Sequence, residues 1–567
     1  MPPLLSALLL AILSPVTWLV LGKDMPTAAQ IVAPNTTDAD VEYFDFETAQ
    51  LTPEFIANLA GKGIANVPLF DFAAPGKPIT PRPQCKAYSG TVDDPASVSF
   101  PLYEGRTCYP TYVVNVTSVA QIQLAVNFAR NANLRLVIKN KGHDFNAKST
   151  GAGGLSVFTG FLRDIRFISN YSSGSYKGSA FKIGTGVEVG TLYEETKKLG
   201  VSVVGGIGLA GGYAAGGGHS PLTSVYGLGA DQILSLEVVL PDGRFALRGA
   251  GGSTFGVVTS AVIAAYPKMP VATLTYSITT TIPTQNVTAG KFWAAVQAFL
   301  ETSPRNADAG HYVYHKIVCQ GPAQPELCTL ALRPHWANRM TATELEAWNA
   351  PLFARFAALG IPLNDVVFNE FPSLYQAFNF TFPAANEGAG GSTIHAASRL
   401  FPRENPELLV KTRAAIRHAL ESGGRLLAYN IKTGVNPAVN QDNAVLPAWR
   451  NNMMFAMLTN PWTEGPSIET ITADSRKLVE WMDEWRAISP GAGSHLNEGD
   501  INEPEFQKSF YGMNYPRLYE LKQRYDPTGT LYAQTAVGSE DWYVTGQVPY
   551  YPITNGRLCR KQHQKAK

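Results

Sequence analysis

Glycines, histidines and carboxylates in this chain fall into a few short runs whose spacing could do chemistry. Gly206-Ile-Gly208-Leu-Ala-Gly211 satisfies G-x-G-x-x-G after a strand-like stretch, the pattern of a dinucleotide-binding turn. That turn needs a helix to open at once, so that its N-terminus meets a pyrophosphate. Gly212, Gly216, Gly217, Gly218 and Pro221 follow instead, a run that cannot hold a helix, and a Rossmann site is disfavoured. Such glycines offer backbone that approaches a flat or anionic ligand closely with unblocked N–H groups. A flexible surface loop is the other reading of the same residues. His311 and His315 invite a metal, but their segment alternates as a strand, where four residues span about 13 Å. One zinc holds its ligands at about 2 Å, so no metal is expected there, and no C-x-x-C spacing occurs. His219, among small residues, reads as a hydrogen-bonded structural histidine.

Several elements must position these runs. Tyr112–Val116 is β-rich, Ser118 is placed to cap a helix, and Ile122, Ala125, Val126 and Ala129 recur at helical spacing. Leu134–Ile138 is again strand-like, completing a β-α-β unit that ends in the polar run Lys139-Asn140-Lys141-Gly142-His143-Asp144. Strands are expected at Gly154–Phe158, Phe181–Ile183, Ile233–Leu240 and Phe255–Ala265, with a Pro-Asp-Gly turn at Pro241–Gly243. After Pro267, strand-like stretches (Thr273–Thr281, Tyr312–Val318, Leu426–Ile431) alternate with helical ones (Lys291–Thr302, Ala342–Leu359, Glu407–Glu421, Ile468–Trp485), which suggests a separate α+β unit.

Composition bounds the function. The 567 residues are 45% apolar and 11% aromatic, enough for a buried core and incompatible with a disordered chain. Lys+Arg at 46 against Asp+Glu at 45 leaves no basic excess to draw in nucleic acid. Met1–Leu21 is almost wholly apolar and reads as a cleaved secretory signal over 1–22, with a retained anchor as the alternative; no stable membrane insertion is expected after cleavage. Asn-x-Ser/Thr sequons at Asn35, Asn115, Asn170, Asn286 and Asn379 agree with the secretory pathway and an extracellular or vacuolar destination. Cys85 with Cys108 and Cys319 with Cys328 are plausible local disulfides, leaving Cys559 odd; unpaired, partly buried thiols are the alternative.

Four ordered blocks carry a resemblance. Val137-Ile-Lys-Asn-Lys-Gly-His-Asp-Phe145 with Ser149-Thr-Gly-Ala-Gly-Gly-Leu-Ser156 resembles the pyrophosphate loop of berberine-bridge-enzyme-like flavoproteins of the vanillyl-alcohol-oxidase superfamily. Gly211-Gly-Tyr-Ala-Ala-Gly-Gly-Gly-His-Ser220, Gly251-Gly-Ser-Thr-Phe-Gly-Val-Val-Thr-Ser260, and Tyr511-Gly-Met-Asn-Tyr515 before Asp526-Pro527 are similar to later blocks of the same family. The likeness is nearest to fungal secreted members, including isoamyl alcohol oxidases of secondary-metabolite pathways.

The resemblance implies a two-domain α+β flavoprotein. An N-terminal lead-in would cover 23–106, the FAD-binding domain 107–268 with its C-terminal part 501–550, the substrate domain 269–500, and a tail 551–567. It implies FAD joined covalently to His143 alone, because a cysteine that many relatives carry just after Val204-Gly205-Gly206 is missing. Asn140, Lys141, Gly142 and Ser149 would supply convergent donors to the pyrophosphate. Gly211, Gly212, Gly217, Gly218, Phe255, Gly256, Val257, Asn514 and Tyr515 complete the implied cofactor site. Relatives place a catalytic tyrosine in a Tyr-x-Asn-Tyr run; here the match is His495-Leu-Asn-Glu498, so Glu498 takes the base position, with Tyr511 beside the ring. A carboxylate in a water-poor pocket suits that role because burial raises its proton affinity. Glu498 could equally order its loop through hydrogen bonds. Tyr429 and His315 are weaker pocket candidates.

The expected substrate is a small alcohol, or a C–H next to a heteroatom, with dioxygen as acceptor. Oxidative cyclisation, or a secreted glycoprotein without catalysis, are the alternatives. Segments that relatives carry are missing between Cys85 and Asp94, between Gly206 and Gly208, and between Arg244 and Ala246.

Overall fold

The computed structural model describes residues 110, 112–142, 146, 148–149, 151, 154–207, 213–243, 245–247, 254–382, 394–403, 406–434, 436, 439, 442–461, 467–545, 547–550 and 558–561. The signal and lead-in expected over 1–106, Cys85, Cys108, Asn35, His143, Gly211 and Gly212 lie outside the described residues.

The first unit forms as its sequence pattern requires. Strand β1 (Tyr112–Asn115) leads into helix α1 (Val119–Asn131), and Ser118 with Gln121 closes a reciprocal capping box at its start. Strand β2 (Leu136–Lys139) follows, then β3 (Leu155–Phe158). The sheet order is β1-β3-β2, all parallel, so β1 and β2 are not neighbours. The later strand inserts between them and is buried along its whole length.

A five-stranded antiparallel sheet comes next, ordered β4 (Ile165–Ser173), β5 (Tyr176–Gly184), β9 (Val257–Ala264), β7 (Ile233–Val239), β8 (Phe245–Leu247). Helix α2 (Val189–Leu199) stops at Gly200, whose φ of 66° is the left-handed cap that glycine adopts without strain. A short bridge pairs β6 (Val201–Ser202) with β10 (Tyr266–Pro267).

The largest sheet is seven-stranded and antiparallel: β14 (Asn364–Phe371), β11 (Val271–Thr279), β13 (Cys328–Asn338), β12 (Tyr312–Cys319), β16 (Arg425–Asn430), β17 (Asn452–Pro461), β15 (Ile394–Pro402). Alternation along its strands divides it into two faces. Val313, Ile317, Leu426, Ala428 and Leu458 point to a core built with helices α3 (Ala289–Leu300), α4 (Ala342–Ala358), α5 (Pro406–Glu421) and α6 (Ile468–Ile488). Tyr312, Tyr429, Phe455 and Met457 point the other way, into a second core shared with Phe181, Tyr193, Val204, Leu222 and Ile263 of the preceding unit. Cys319 faces Cys328 across the β12–β13 hairpin and forms the expected disulfide. Helix α7 (Tyr515–Tyr525) closes against Phe255, Phe510 and Val537. Among the described residues, no helix is long and apolar enough to cross a membrane.

Candidate active site

Glu498 lies where the aromatic face of the large sheet meets the glycine-rich segment. The turn that carries it is closed by the Glu498 N–H, which donates to the His495 carbonyl at 3.0 Å. Asn497, one residue earlier, packs so closely on Gly216 that a Cβ there would sit 2.1 Å from its amide. Gly217 and Gly218 then turn with φ of 108° and 62°, which brings the backbone past the site and delivers His219 to it. The loop after β2 reaches the same turn: Lys148 Nζ donates to the Leu496 carbonyl at 3.1 Å, and Asn146 Nδ2 to the same oxygen at 3.5 Å.

The carboxylate has two imidazole neighbours. His219 Nε2 is 3.1 Å from Glu498 Oε2, and His495 Nε2 is 3.9 Å from the same oxygen. Around His219 stand Tyr429, Phe455, Trp449 and Tyr312, with ring centroids 4.9, 5.2, 6.1 and 6.5 Å away. Tyr314 stacks on Tyr429 at 5.0 Å. Both imidazoles are buried, while the Glu498 side chain keeps 22% exposure, so the pocket is dry on one side and open at the acid. Burial holds the His495 imidazole down to about 4 and therefore neutral. Burial pushes the Tyr314 phenol up to about 12, with Arg333 opposing and the Glu498 charge adding to the rise. Tyr312 and Tyr429 are raised further, by burial first.

The seam between the two sheets is locked beside this site. Asp231, fully buried, accepts both guanidinium N–H groups of Arg450 at 2.7 and 2.8 Å, Asn443 Nδ2 at 2.7 Å and the Leu228 N–H at 2.9 Å. Arg450 follows Trp449, which packs on His219, so the fork fixes one wall of the pocket.

Other residues singled out from sequence take varied places. Asn140 Nδ2 donates to the Thr185 carbonyl at 2.6 Å, and its own Oδ1 receives the Lys141 N–H at 2.7 Å. Lys139 Nζ gathers the carbonyls of Asn140 and Gly142, and the buried Lys141 ammonium pairs with Glu188. Ser149 is half-buried in the same loop. Gly256 touches the backbone of Val239 closely, and Val257 pairs with it in β9. Tyr511 is buried with Phe255 and donates to the Thr535 carbonyl at 3.1 Å; it is not among the rings around His219. Asn514 Nδ2 donates to the Val445 carbonyl at 2.9 Å, and the Tyr515 hydroxyl pairs with Glu540. Tyr429 joins the site, whereas His315 does not. It projects from the opposite face of β12 onto Phe299, as alternation from Tyr314 requires. His311 pairs with His335 at 2.8 Å inside the fold, away from Glu498. Asn170, Asn286 and Asn379 are exposed; Asn115 lies in β1 with its amide oxygen buried.

Reading residue types alone missed His219 and His495. His219 looked structural among its glycines, but it meets a carboxylate 279 positions away in the chain. The signal that could have found it is the pairing of a histidine in one motif block with the acid of another. Two buried polar atoms of this pocket, His219 Nδ1 and Tyr312 Oη, have no hydrogen-bond partner among the described residues. Such atoms cost about 1–3 kcal/mol each when left alone, and the polar edge of a bound planar group would satisfy them. The residues present therefore fit a flat, hydrogen-bonding cofactor against the glycine run.

Comparison with known proteins bears on the family and the fold. A model of an FAD binding domain matches residues 110–246, and one described as berberine and berberine like matches residues 494–538, which hold Glu498. The chain is 34% identical over 482 residues to the FAD-linked oxidoreductase patO of Aspergillus clavatus, covering 80% of each. It is 33% identical over 474 residues to the VAO-type flavoprotein oxidase VAO615 of Thermothelomyces thermophilus, covering 80% of this chain and 79% of that one. The crystal structure of VAO-type flavoprotein MtVAO615 from Myceliophthora thermophila superposes with a TM-score of 0.72 at 31% identity, covering 80% and 82% of the two chains. With FAD-binding and berberine-like segments flanking a VAO-type sheet, the chain belongs to the berberine-bridge-enzyme-like family of FAD-dependent oxidoreductases.

Proposed function

We propose that this protein oxidises the alcohol of a small secondary metabolite, with Glu498 as the base, FAD joined to His143, and dioxygen as the final acceptor. The observation that carries the reading is the Glu498 carboxylate, mostly buried but still reachable, hydrogen-bonded to His219 and walled by Tyr312, Tyr314 and Tyr429. FAD, when bound, would supply the acceptor for a hydride and the route by which two electrons reach dioxygen. Glu498 takes the hydroxyl proton as the carbinol carbon gives up its hydride, leaving a carbonyl; dioxygen with the two electrons and two protons leaves as hydrogen peroxide. The aromatic walls exclude water and present flat apolar surface, which suits a planar or unsaturated substrate. Asn140, Lys141, Gly142 and Ser149 would hold the cofactor's phosphates, and Gly217 and Gly218 its ring side. Secretion and glycosylation are supported by the exposed sequons and by the Cys319–Cys328 disulfide, a bond kept in oxidising compartments.

Acid precipitation of the purified protein tests the cofactor reading. Yellow colour retained in the pellet is the expected result. Colour lost to the supernatant removes the His143 link, and a colourless protein before acid supports a secreted glycoprotein without catalysis. A second reading, oxidative ring closure, draws support from 32% identity over 481 residues to the bifunctional decalin synthase calF of Penicillium decumbens. Product mass and ring count separate it from simple alcohol oxidation.

A further inference from the structure

We propose that His219 is a positioning residue for Glu498, donating its Nε2–H to the carboxylate so that the acid is held ionised and aimed into the pocket. The inference rests on Glu498 being the base, and it adds the residue that keeps it ready.

The tautomer follows from the contact with the carboxylate. His219 Nδ1 is buried with no hydrogen-bond partner among the described residues, whereas Nε2 lies 3.1 Å from Glu498 Oε2. A proton on Nδ1 alone would set two lone-pair acceptors, Nε2 and the carboxylate, against each other at 3.1 Å whatever Nδ1 meets. A proton on Nε2 makes a charge-assisted hydrogen bond and leaves only a lone pair unmet. The ring cannot swing away, because Tyr429, Phe455 and Trp449 pack around it and Gly217 and Gly218 fix the backbone that carries it. His495, at 3.9 Å, is beyond hydrogen-bond reach of the same oxygen.

The groups facing Glu498 come from several elements. His219 comes from the glycine segment, Tyr312 and Tyr314 from β12, Tyr429 from β16, and His495 from its own loop, whose Asp500 is turned to His395 instead. Lys148 comes from the loop after β2, with its ammonium on the Leu496 carbonyl. His219 is the neighbour placed to donate from a ring held at hydrogen-bond distance. A hydrogen bond to the charged form favours that form, so its loss moves protonation of Glu498 to higher pH.

Infrared difference spectroscopy across a pH titration tests this without a substrate, using Glu498→Gln as the blank that identifies the carboxylic C=O stretch. In His219→Leu the midpoint of that band is expected to rise by about one pH unit, a tenfold change in proton affinity. His219→Asn, whose amide is too short to reach Oε2, should follow Leu. His219→Gln places an N–H near the original Nε2 and should return the midpoint toward wild type. Equal midpoints in all four proteins, or Gln and Asn behaving alike, would overturn the proposal, since packing alone distinguishes neither. Turnover of Glu498→Gln at the wild-type rate would instead sink the base reading, and would leave the measured midpoints standing by themselves.

Discussion

The two faces of the seven-stranded sheet are built from the same strands and do opposite work. Helices α3 to α6 cover one face with Phe292, Phe299, Phe356, Leu420 and Trp485, all nearly without exposure. The other face carries Tyr312, Tyr429 and Phe455 against the glycine segment, with a partly exposed carboxylate among them. Apolar groups that fill space completely stabilise, and they offer a ligand nothing to bind. Among the described residues, unmet polar atoms occur on both faces, Trp293 Nε1, Trp485 Nε1 and His315 Nε2 among them on the helix side, so what sets the seam apart is the partly exposed Glu498 carboxylate beside its rings. The difference teaches that the helix-covered face is filled for stability, whereas the seam, the proposed catalytic face, keeps an accessible acid among its rings.

The comparison breaks if changes on one face act on the property assigned to the other. Phe356→Ala, on the helix-covered face, should cost about 3–5 kcal/mol of unfolding free energy by urea titration and leave the flavin absorbance of the folded protein unchanged. Arg450→Met strips the fork from a fully buried carboxylate at the seam and should cost about 3 kcal/mol, with flavin retention falling as well. A seam variant that unfolds earlier yet keeps all its flavin would contradict the idea that this lock shapes the pocket wall.

His315 sharpens the same contrast through pH. Burial holds its imidazole down to about 4, below the roughly 6.5 of an unfolded chain. The unfolded state therefore binds more protons in that window. Stability from this group is complete above about pH 6.5 and falls by about 3 kcal/mol as pH drops to about 4. His315→Leu should flatten that acid loss in thermal melts, while the pH response of the Glu498 pocket stays as it was. The smallest effect is expected from the hairpin. Replacing Cys319 and Cys328 by Ser should lower stability by about 2–3 kcal/mol, the loop-closure value for so short a span, with no change at the seam.

Much of the architecture was legible in the chain, and the gaps have physical causes. The Ser118 cap, α1 and β12 follow from capping chemistry and clear periodicity. Strand β17, Asn452–Pro461, was missed because its buried run is almost continuously apolar, and a strand covered on both faces shows no alternation to read. Strand β14 was missed for the opposite reason, since it is largely exposed and polar residues interrupt it. The insertion of β3 between β1 and β2 is a tertiary choice that local pattern does not encode. At the site, the block resemblance led to Glu498 and named both Tyr429 and His315 as pocket candidates, of which the structure brings in Tyr429 alone, His315 lying on Phe299 across the sheet. His219 needed three dimensions, because its partner is distant in sequence and its own surroundings look like a turn.

The central claim is that the seam is the catalytic face and Glu498 its base. The direct measurement is peroxide formation by the purified flavoprotein on a panel of aliphatic, allylic and benzylic alcohols, followed by the rate of flavin bleaching under anaerobic conditions with the best of them. Glu498→Gln is predicted to keep its flavin and its melting temperature while bleaching at least about a hundredfold more slowly than wild type. Bleaching at the wild-type rate in that variant would contradict the account.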